Sequence, residues 1–337
     1  MKWYCHTDAP LSLHGTINSR FERMPAQACD VSDRMRPMYQ RSPGARLRFV
    51  TDASTLQIEL TYAQKPVYGA NLSLIAASSA DCYCGSGQQA RFLGLCSPAS
   101  IDQMQAQATI VTHLTAPALV TVALPSRAPL TQVRIGVNDS AQMLPPPPYT
   151  YPAPVLFYGS SITEGFCASR PSMSYAALVC RWLDADWRNL GFAGAARGEM
   201  PVARYIAAQK LGAFVLDYDH NAPDAAHLLA THEPFFRIVR DADPELPILM
   251  MSRPDVDLNP HDSACRRDIV RRTYDHARAQ GDRRVWFLDG HTLFEGPNRS
   301  FLTIDGCHPT DLGFYRMAQA VYPILSQMLA LGHNQPE

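Results

Sequence analysis

Two short segments of the sequence carry side chains that can work together as a nucleophile and a base. Residues 159–161 read Gly-Ser-Ser and follow directly after the apolar run 155–158. Near the C-terminus, Asp305 stands three residues before His308. A carboxylate on one imidazole nitrogen leaves the other nitrogen free to take a proton from a serine hydroxyl. The two segments therefore contain the parts of a Ser–His–Asp site for acyl transfer.

Two further segments could supply hydrogen-bond donors to such a site. Residues 189–194 end in Gly194, and residues 216–221 end in Asn221. A glycine N–H and an asparagine amide are donor types that stabilise a tetrahedral oxyanion. Either residue could equally belong to an ordinary turn. The two segments therefore support a catalytic site only in combination with the serine and histidine segments.

Each of these patterns also has a simpler interpretation. Gly-Ser-Ser at 159–161 is typical of a helix cap as well, and a phosphate loop is disfavoured because neither G-x-G-x-x-G nor G-x-x-x-x-G-K-[ST] is present. Asp289 and His291 form a second acid–histidine pair, whose one-residue gap favours a structural turn. Cys82 and Cys84 lack a second pair at zinc spacing, and we therefore expect no metal site.

The second half of the sequence alternates predicted strands with predicted helices. Five short apolar runs bounded by turns predict a parallel sheet, and the stretches between them predict helices on both of its faces. In such a sheet, ligands bind beyond the carboxyl ends of the strands, where the serine, glycine and asparagine segments stand. Pro323 falls inside the last helix and predicts a kink or break. The predicted strands are 155–158, 187–192, 214–216, 248–252 and 285–288, and the helices are 174–183, 201–209, 225–241, 264–280 and 311–331.

The first half consists mainly of short β-rich runs, which predict an all-β sandwich of jelly-roll type. In residues 56–60 the apolar and polar side chains alternate, as in a half-buried strand. The proline-rich stretch 144–154 separates the halves, so we expect a β-sandwich domain over 1–143, a linker over 144–154 and a catalytic domain over 155–332. The predicted strands are 46–50, 56–62, 71–76, 90–95, 108–113, 118–124 and 132–137.

With these residues in this order, the sequence resembles the SGNH, or GDSL-like, hydrolase family, whose four blocks carry Ser, Gly, Asn and His. Ser161, Gly194, Asn221 and His308 match the four blocks. Residues 219–222 read Asp-His-Asn-Ala where the family's third block usually reads G-x-N-D. The longer stretch 159–171 resembles a subgroup with an N-terminal β-sandwich and a G-x-D-L-Y motif, of which residues 79–83 keep Asp81 and Tyr83.

The resemblance implies a fold, a reaction and a set of roles. The fold would be a flavodoxin-like three-layer α/β/α domain with a parallel sheet, preceded by a jelly-roll-like sandwich. The reaction would be cofactor-free hydrolysis of short acyl esters, with acetyl esters of carbohydrates or small metabolites as the leading substrates, through an acyl-enzyme. An acyltransferase with an alcohol acceptor and a non-catalytic binding protein are the alternatives. The nucleophile would be Ser161, with His308 as base, Asp305 as its orienting acid, and Ser161, Gly194 and Asn221 as oxyanion donors; Arg170, His220, Asp81 and Tyr83 are candidate substrate contacts.

The composition of the chain further limits the partners and the cellular compartment that we expect. The chain has 337 residues, a net charge of −1 and nine cysteines. A near-neutral charge argues against nucleic acid and membrane surfaces as partners. It suits the small acyl ester that the resemblance implies, with carbohydrate and a second copy of the chain as further candidates. An odd number of scattered cysteines and a start without a secretory apolar stretch predict a cytoplasmic protein.

Overall fold

The computed structural model describes residues 1–66, 69–254 and 260–333. Up to residue 144 it consists of ten strands in two antiparallel sheets, with two short helices. The strands are β1 (Lys2–Cys5), β2 (Ser12–His14), β3 (Arg46–Thr51), β4 (Thr55–Tyr62), β5 (Ala80–Cys84), β6 (Arg91–Cys96), β7 (Gln105–Val111), β8 (Ala118–Ala123), β9 (Leu130–Val137) and β10 (Met143–Leu144), and the helices are α1 (Ala26–Cys29) and α2 (Leu74–Ser78).

The two antiparallel sheets form the predicted sandwich. One has the order β1-β9-β4-β7, and the other has the order β10-β3-β8-β5-β6, with β2 paired to β3. In β4 the residues Leu56, Ile58 and Leu60 are fully buried, and the residues between them are only partly buried. The predicted alternation is therefore confirmed, and its apolar side lies in the sandwich core.

The prediction for residues 71–76 is wrong. The structure has helix α2 there in place of a strand, and the Ser73 side chain accepts a hydrogen bond from the Ala76 N–H at its start. Serine at that position favours a helix because it satisfies an otherwise unpaired backbone donor. Strand β5 was not predicted, because all five of its residues are buried and its sequence does not alternate between buried and exposed positions.

From Tyr151 onward the chain forms a five-stranded parallel sheet with helices on both faces. The order β12-β11-β13-β14-β15 is that of a flavodoxin-like sheet. One face packs on α5, α6 and α7, and the other on α4 and α8. The elements are β11 (Tyr151–Gly159), α3 (Ser161–Glu164), α4 (Tyr175–Leu183), β12 (Ala185–Gly191), α5 (Met200–Ala207), β13 (Ala213–Asp217), α6 (Ala225–Ala242), β14 (Ile248–Met251), α7 (Pro260–Ala279), β15 (Val285–Leu288) and α8 (Asp311–His333).

Prolines have less effect on this half than the sequence suggests. Helix α8 continues through Pro323 without the predicted break. Strand β11 begins at Tyr151, inside the predicted linker, and its pairing with β12 is irregular between Tyr151 and Val155. An irregular strand start is a place where proline is tolerated, because no regular ladder hydrogen bond is lost there. Within the described ranges, no helix is both long and apolar enough to cross a membrane.

Candidate active site

The turn between β11 and α3 presents Ser161 at the carboxyl edge of the parallel sheet. Ser160 caps the helix, since its hydroxyl accepts the Ile162 N–H at 3.1 Å. Gly159 is required by close packing, because a Cβ there would overlap the Thr163 hydroxyl and the Asp217 carbonyl. As the first helical residue, Ser161 has an N–H without an acceptor inside the helix. The turn therefore exposes a hydroxyl and a backbone donor on the same residue.

A continuous chain of hydrogen bonds joins the predicted nucleophile, base and acid. Ser161 Oγ lies 3.0 Å from His308 Nε2, and His308 Nδ1 lies 2.8 Å from Asp305 Oδ2. The second carboxylate oxygen, Oδ1, accepts the backbone N–H groups of Cys307 at 3.0 Å and of His308 at 2.7 Å. Asp305 thereby holds both the loop and the imidazole. This places Nε2 as the nitrogen that can take the serine proton.

These contacts set the charge state of the acid and the base. Partial burial raises the pKa of Asp305, but the N–H groups and ring of His308 and the N–H of Cys307 outweigh it and hold the pKa at about 2. Burial alone would lower the pKa of His308, yet hydrogen bonds and charges from Cys307 and Asp305 raise it above its usual 6.5. The carboxylate therefore stays ionised, and the imidazole is a stronger base than an unperturbed histidine.

Two loops bring the other donors next to each other. Gly194 has a φ of +69°, a left-handed conformation that favours glycine, and no hydrogen bond to its N–H occurs within the described part of the chain. Asn221 donates one amide N–H to the Phe192 carbonyl at 2.9 Å. That bond fixes the amide two residues from Gly194 and uses only one of its two N–H groups.

The β-sandwich contributes one residue that the sequence analysis missed. Asn71 Nδ2 donates to Asp305 Oδ2 at 2.7 Å, on the same carboxylate oxygen that holds His308. The Asn71 carbonyl also accepts the Cys167 thiol at 2.8 Å, next to the loop that follows α3. No local spacing in the sequence connects Asn71 with a residue 234 positions away, and its segment was predicted to be a strand.

A sandwich arginine also supports the wall of the site. Arg127 Nη1 donates to Glu164 Oε2 at 3.0 Å, and its guanidinium carbon lies 4.9 Å from the centre of the Phe166 ring. The Phe166 ring in turn lies 4.7 Å from the His308 ring. Glu164 Oε2 also accepts the N–H of Ala193, the residue before Gly194. One ion pair therefore connects the sandwich to the imidazole and to the glycine loop.

Three of the four predicted substrate contacts make hydrogen bonds between the two halves of the chain, and their part in substrate binding stays a prediction. Asp81 is 0% exposed and accepts hydrogen bonds from the N–H and hydroxyl of Ser172. Arg170 Nε lies 3.3 Å from Asp81, and Arg170 Nη2 donates to the Tyr83 hydroxyl at 3.1 Å. Asp81, Tyr83 and Arg170 therefore join the sandwich to the loop before α4. Their polar groups are used for this contact, and Arg170 is the one of the three that is partly exposed.

His220, the fourth predicted contact, lies beside the base. Its Nε2 is 3.6 Å from Cys307 Sγ. Burial raises the pKa of this thiol, but hydrogen bonds and charges from His220 and His308 outweigh it and bring the pKa down to about 7. Asp305, Cys307 and His308 also offer three potential metal-ligand atoms within 4.8 Å of one another. The hydrogen bonds between Asp305 and His308 already account for that grouping.

A parallel sheet of this order, with a serine after its first strand and an Asp-x-x-His before its last helix, defines an SGNH-type α/β/α domain. The chain belongs to the GDSL-like lipase/acylhydrolase family, which it matches over residues 152–326. Residues 1–143 match the GxDLY domain, described as the N-terminus of SGNH-hydrolase-type esterases. The protein is therefore an SGNH-family esterase or acyltransferase.

Solved structures share the fold over nearly the whole chain. A GDSL-like lipase from Bacteroides ovatus has a TM-score of 0.86 at 23% identity, with 98% of each chain covered. The salicylyl-acyltransferase SsfX3 from a tetracycline biosynthetic pathway has a TM-score of 0.77 at 21% identity, with 97% of each covered. A family two carbohydrate esterase from Clostridium thermocellum in complex with cellohexaose has a TM-score of 0.63 at 15% identity, covering 86% of this chain and 94% of that one. No curated protein matches the sequence.

Proposed function

We propose that the protein hydrolyses short acyl esters, with acetyl esters of carbohydrates or small metabolites as the leading substrates, through an acyl-enzyme on Ser161. The observation that carries the proposal is the hydrogen-bond chain from Ser161 Oγ through His308 to Asp305. A serine hydroxyl needs a base within hydrogen-bond reach and a group that orients the base, and both are in place.

The first half of the reaction forms the acyl-enzyme. Ser161 Oγ attacks the ester carbonyl carbon while its proton passes to His308 Nε2, and the carbonyl oxygen becomes an oxyanion. When the carbon–oxygen bond to the alcohol breaks, the imidazolium returns that proton to the leaving oxygen. Asp305 stays a carboxylate throughout, consistent with its low pKa, and stabilises the transient charge on His308.

The second half repeats these steps with water. His308 takes a proton from the water as it attacks the acyl carbon, and then gives the proton back to Ser161 Oγ as the acid leaves. In both halves the N–H groups of Ser161 and Gly194 and the free amide N–H of Asn221 would bind the oxyanion. Donors that are held in place before the reaction stabilise this charge most, because they need no reorganisation when it forms.

Acyl transfer to an alcohol is the second candidate. The same residues carry it, and the structural neighbours include both an acyltransferase and carbohydrate esterases. The two reactions differ only in whether water or an alcohol reaches the acyl-enzyme. We therefore propose to measure p-nitrophenyl acetate turnover with and without xylose or glycerol and to analyse the products. Free acetate supports the hydrolase, and an acetylated polyol supports the transferase.

The decisive control is Ser161→Ala. We expect it to lower kcat by about 10⁴-fold or more, since the nucleophile is lost and only oxyanion and binding contributions remain. Electrospray mass spectrometry should detect an acetyl adduct on the wild type and none on the variant. If the variant matches the wild type on every short acyl ester, the protein is a non-catalytic binding protein on this fold.

Two further expectations belong to this proposal. All nine cysteines are free, and five of them are buried, which supports a reducing compartment such as the cytoplasm. We also propose that the sandwich over 1–143 and the catalytic domain are separate domains, joined by the part of the predicted linker 144–154 that precedes β11. A homo-oligomer stays a prediction, to be tested by light scattering of the purified protein.

A further inference from the structure

A second cleft lies between the sandwich and the parallel-sheet half, away from Ser161. Its empty volume is about 660 Å³ including its open mouth, and about 60 Å³ of it can be occupied by the centres of water-sized atoms. A single water needs about 10–15 Å³ of such space, so the cleft holds several waters or a small ligand. Its walls come from β3, β5 and β8 on one side and from α4 and the start of β12 on the other.

Two arginines on β3 face this cleft, and their surroundings differ. Arg46 is fully engaged: it donates to the Tyr149 hydroxyl at 2.6 Å, to Asp186 at 2.5 Å and to the carbonyls of Gly44 and Trp187. Arg48 is 2% exposed, yet its Nη2 has no hydrogen-bond partner in the described residues. The nearest carboxylate oxygen lies 3.7 Å away, which is too long for a hydrogen bond.

An arginine buried in this way is poorly satisfied. A guanidinium is a pure donor with five N–H groups, and burial removes the water that would otherwise accept them. The Tyr149 ring, 3.6 Å from the Arg48 guanidinium carbon, compensates part of the charge but accepts no in-plane hydrogen bond. Arg48 Nη2 is therefore a buried donor without an acceptor, on a side chain that lines the cleft.

The charge around the cleft indicates the sign of its ligand. Arg46, Arg48 and Arg181 line it, and the carboxylates that face the first two are Asp186 and Asp184. Arg181 also interacts with Asp81, which forms an ion pair with Arg170, so four arginines against three carboxylates leave one positive charge in excess. Arg181 stacks over the Tyr83 ring at 4.3 Å and so keeps its charge at the wall. A monoanion restores the balance.

The remaining walls indicate the shape of the ligand. Three aromatic side chains and several aliphatic ones line the cleft: Tyr83, Tyr149, Trp187, Leu119, Leu124 and Ala177. Flat apolar surfaces of this kind pack against a flat apolar ligand. We propose that the cleft is a binding site for a small monocarboxylate with an aromatic or apolar body, whose carboxylate accepts hydrogen bonds from Arg48.

This site is separate from the esterase site. Asp184, Ala185 and Trp187 lie at the amino end of β12, whereas Gly191, the loop to Gly194 and the Ser161 crevice lie at its carboxyl end. A seven-residue strand is about 20 Å long. Because the ligand would touch the sandwich and the parallel-sheet half at once, its binding should stabilise the full chain against unfolding.

The test uses benzoate as the probe on the intact chain at constant ionic strength. We expect saturable benzoate binding by calorimetry, a change in tryptophan fluorescence and a rise in melting temperature. Benzyl alcohol, which has the same ring but no charge, should bind at least tenfold more weakly. Equal affinity for the two compounds, or no saturable binding of benzoate, overturns the proposal.

Two variants locate the binding. Arg48→Met keeps the length of the side chain but removes its charge and donors, and we expect the dissociation constant for benzoate to rise at least tenfold. Thr121→Phe fills the cleft from β8 without changing a charge, and should also abolish binding. Arg134→Met is the matched control, because Arg134 stacks on Trp3 on the other sheet. Unchanged affinity in both cleft variants overturns the site.

An activity measurement separates this proposal from the esterase. Arg48→Met should retain p-nitrophenyl acetate hydrolysis, and benzoate should not compete with that substrate. Competitive inhibition that survives in Arg48→Met would place benzoate in the Ser161 crevice and overturn the second site. If the protein hydrolyses no ester at all, the calorimetric comparison of benzoate with benzyl alcohol still decides the question.

Discussion

The sandwich contacts the parallel-sheet half at both ends of β12. The hydrogen bonding of the polar side chains differs between these two ends. At the carboxyl end, Asp305 accepts four hydrogen bonds, two on each oxygen, and one of them comes from Asn71. At the amino end, Arg48 is buried with an unpartnered nitrogen. Polar groups whose hydrogen bonds are all made hold a fixed geometry, as catalysis requires. A buried donor without an acceptor is instead stabilised when a ligand accepts its hydrogen bond.

The largest expected effect is at the satisfied end. Asp305→Asn removes the charge that holds the His308 tautomer, and we expect kcat for p-nitrophenyl acetate to fall by about 10²–10⁴-fold. Circular dichroism and melting temperature should show that the variant is folded. A loss smaller than tenfold would mean that the hydrogen-bond network at Asp305 is not what makes this end catalytic.

Asn221→Ala should have the next largest effect. It removes the free amide donor and the bond to the Phe192 carbonyl, and loss of one oxyanion donor typically costs about 10²–10³-fold in kcat. KM should change much less than kcat, since the donor acts on charge that develops only in the transition state. Asn138→Ala, at a half-buried asparagine of the sandwich outside the site, is the control for the substitution itself.

Asn71→Ala tests whether the sandwich takes part in positioning the acid. We expect kcat to fall by roughly tenfold, in line with the loss of one charge-assisted hydrogen bond, while KM stays nearly constant. A purely structural role would lower the melting temperature without such a split between kcat and KM. Asn138→Ala again serves as the matched control, and equal kinetics for both variants would remove Asn71 from the site.

Cys307→Ala should have the smallest effect, confined to the pH profile. Burial lowers the pKa of His308, while Cys307 and Asp305 raise it above the usual value, with Cys307 the larger of the two. Only neutral His308 accepts the serine proton, so activity rises as pH rises through its pKa. Without Cys307 that pKa falls, and the acid limb of kcat/KM should move to lower pH. A limb that stays in place or moves up contradicts this assignment.

Local sequence patterns predicted much of the fold and the central residues of the candidate site. The strands and helices after residue 155 follow apolar runs of fixed period, and five of the seven strand predictions before it needed only shifts of a residue or two. Asp305 and His308 stand three apart, so their meeting depends on one short loop. Helix α2 was mistaken for a strand because an apolar run of that length does not distinguish the two.

Contacts between distant segments depended on the tertiary structure. The sequence predicted that Ser161 and the loops of Gly194 and Asn221 share one crevice, because parallel strands end at one edge of a sheet. The Asp305–His308 pair was assigned to the same crevice because its chemistry complements the serine. Nothing in the sequence indicated that Asn71 contacts Asp305, or that Arg48 is buried beside Tyr149 at the amino end of β12. Those positions follow from how the sandwich packs on the parallel-sheet half. No local period or spacing encodes that packing, because the partners lie up to 234 residues apart.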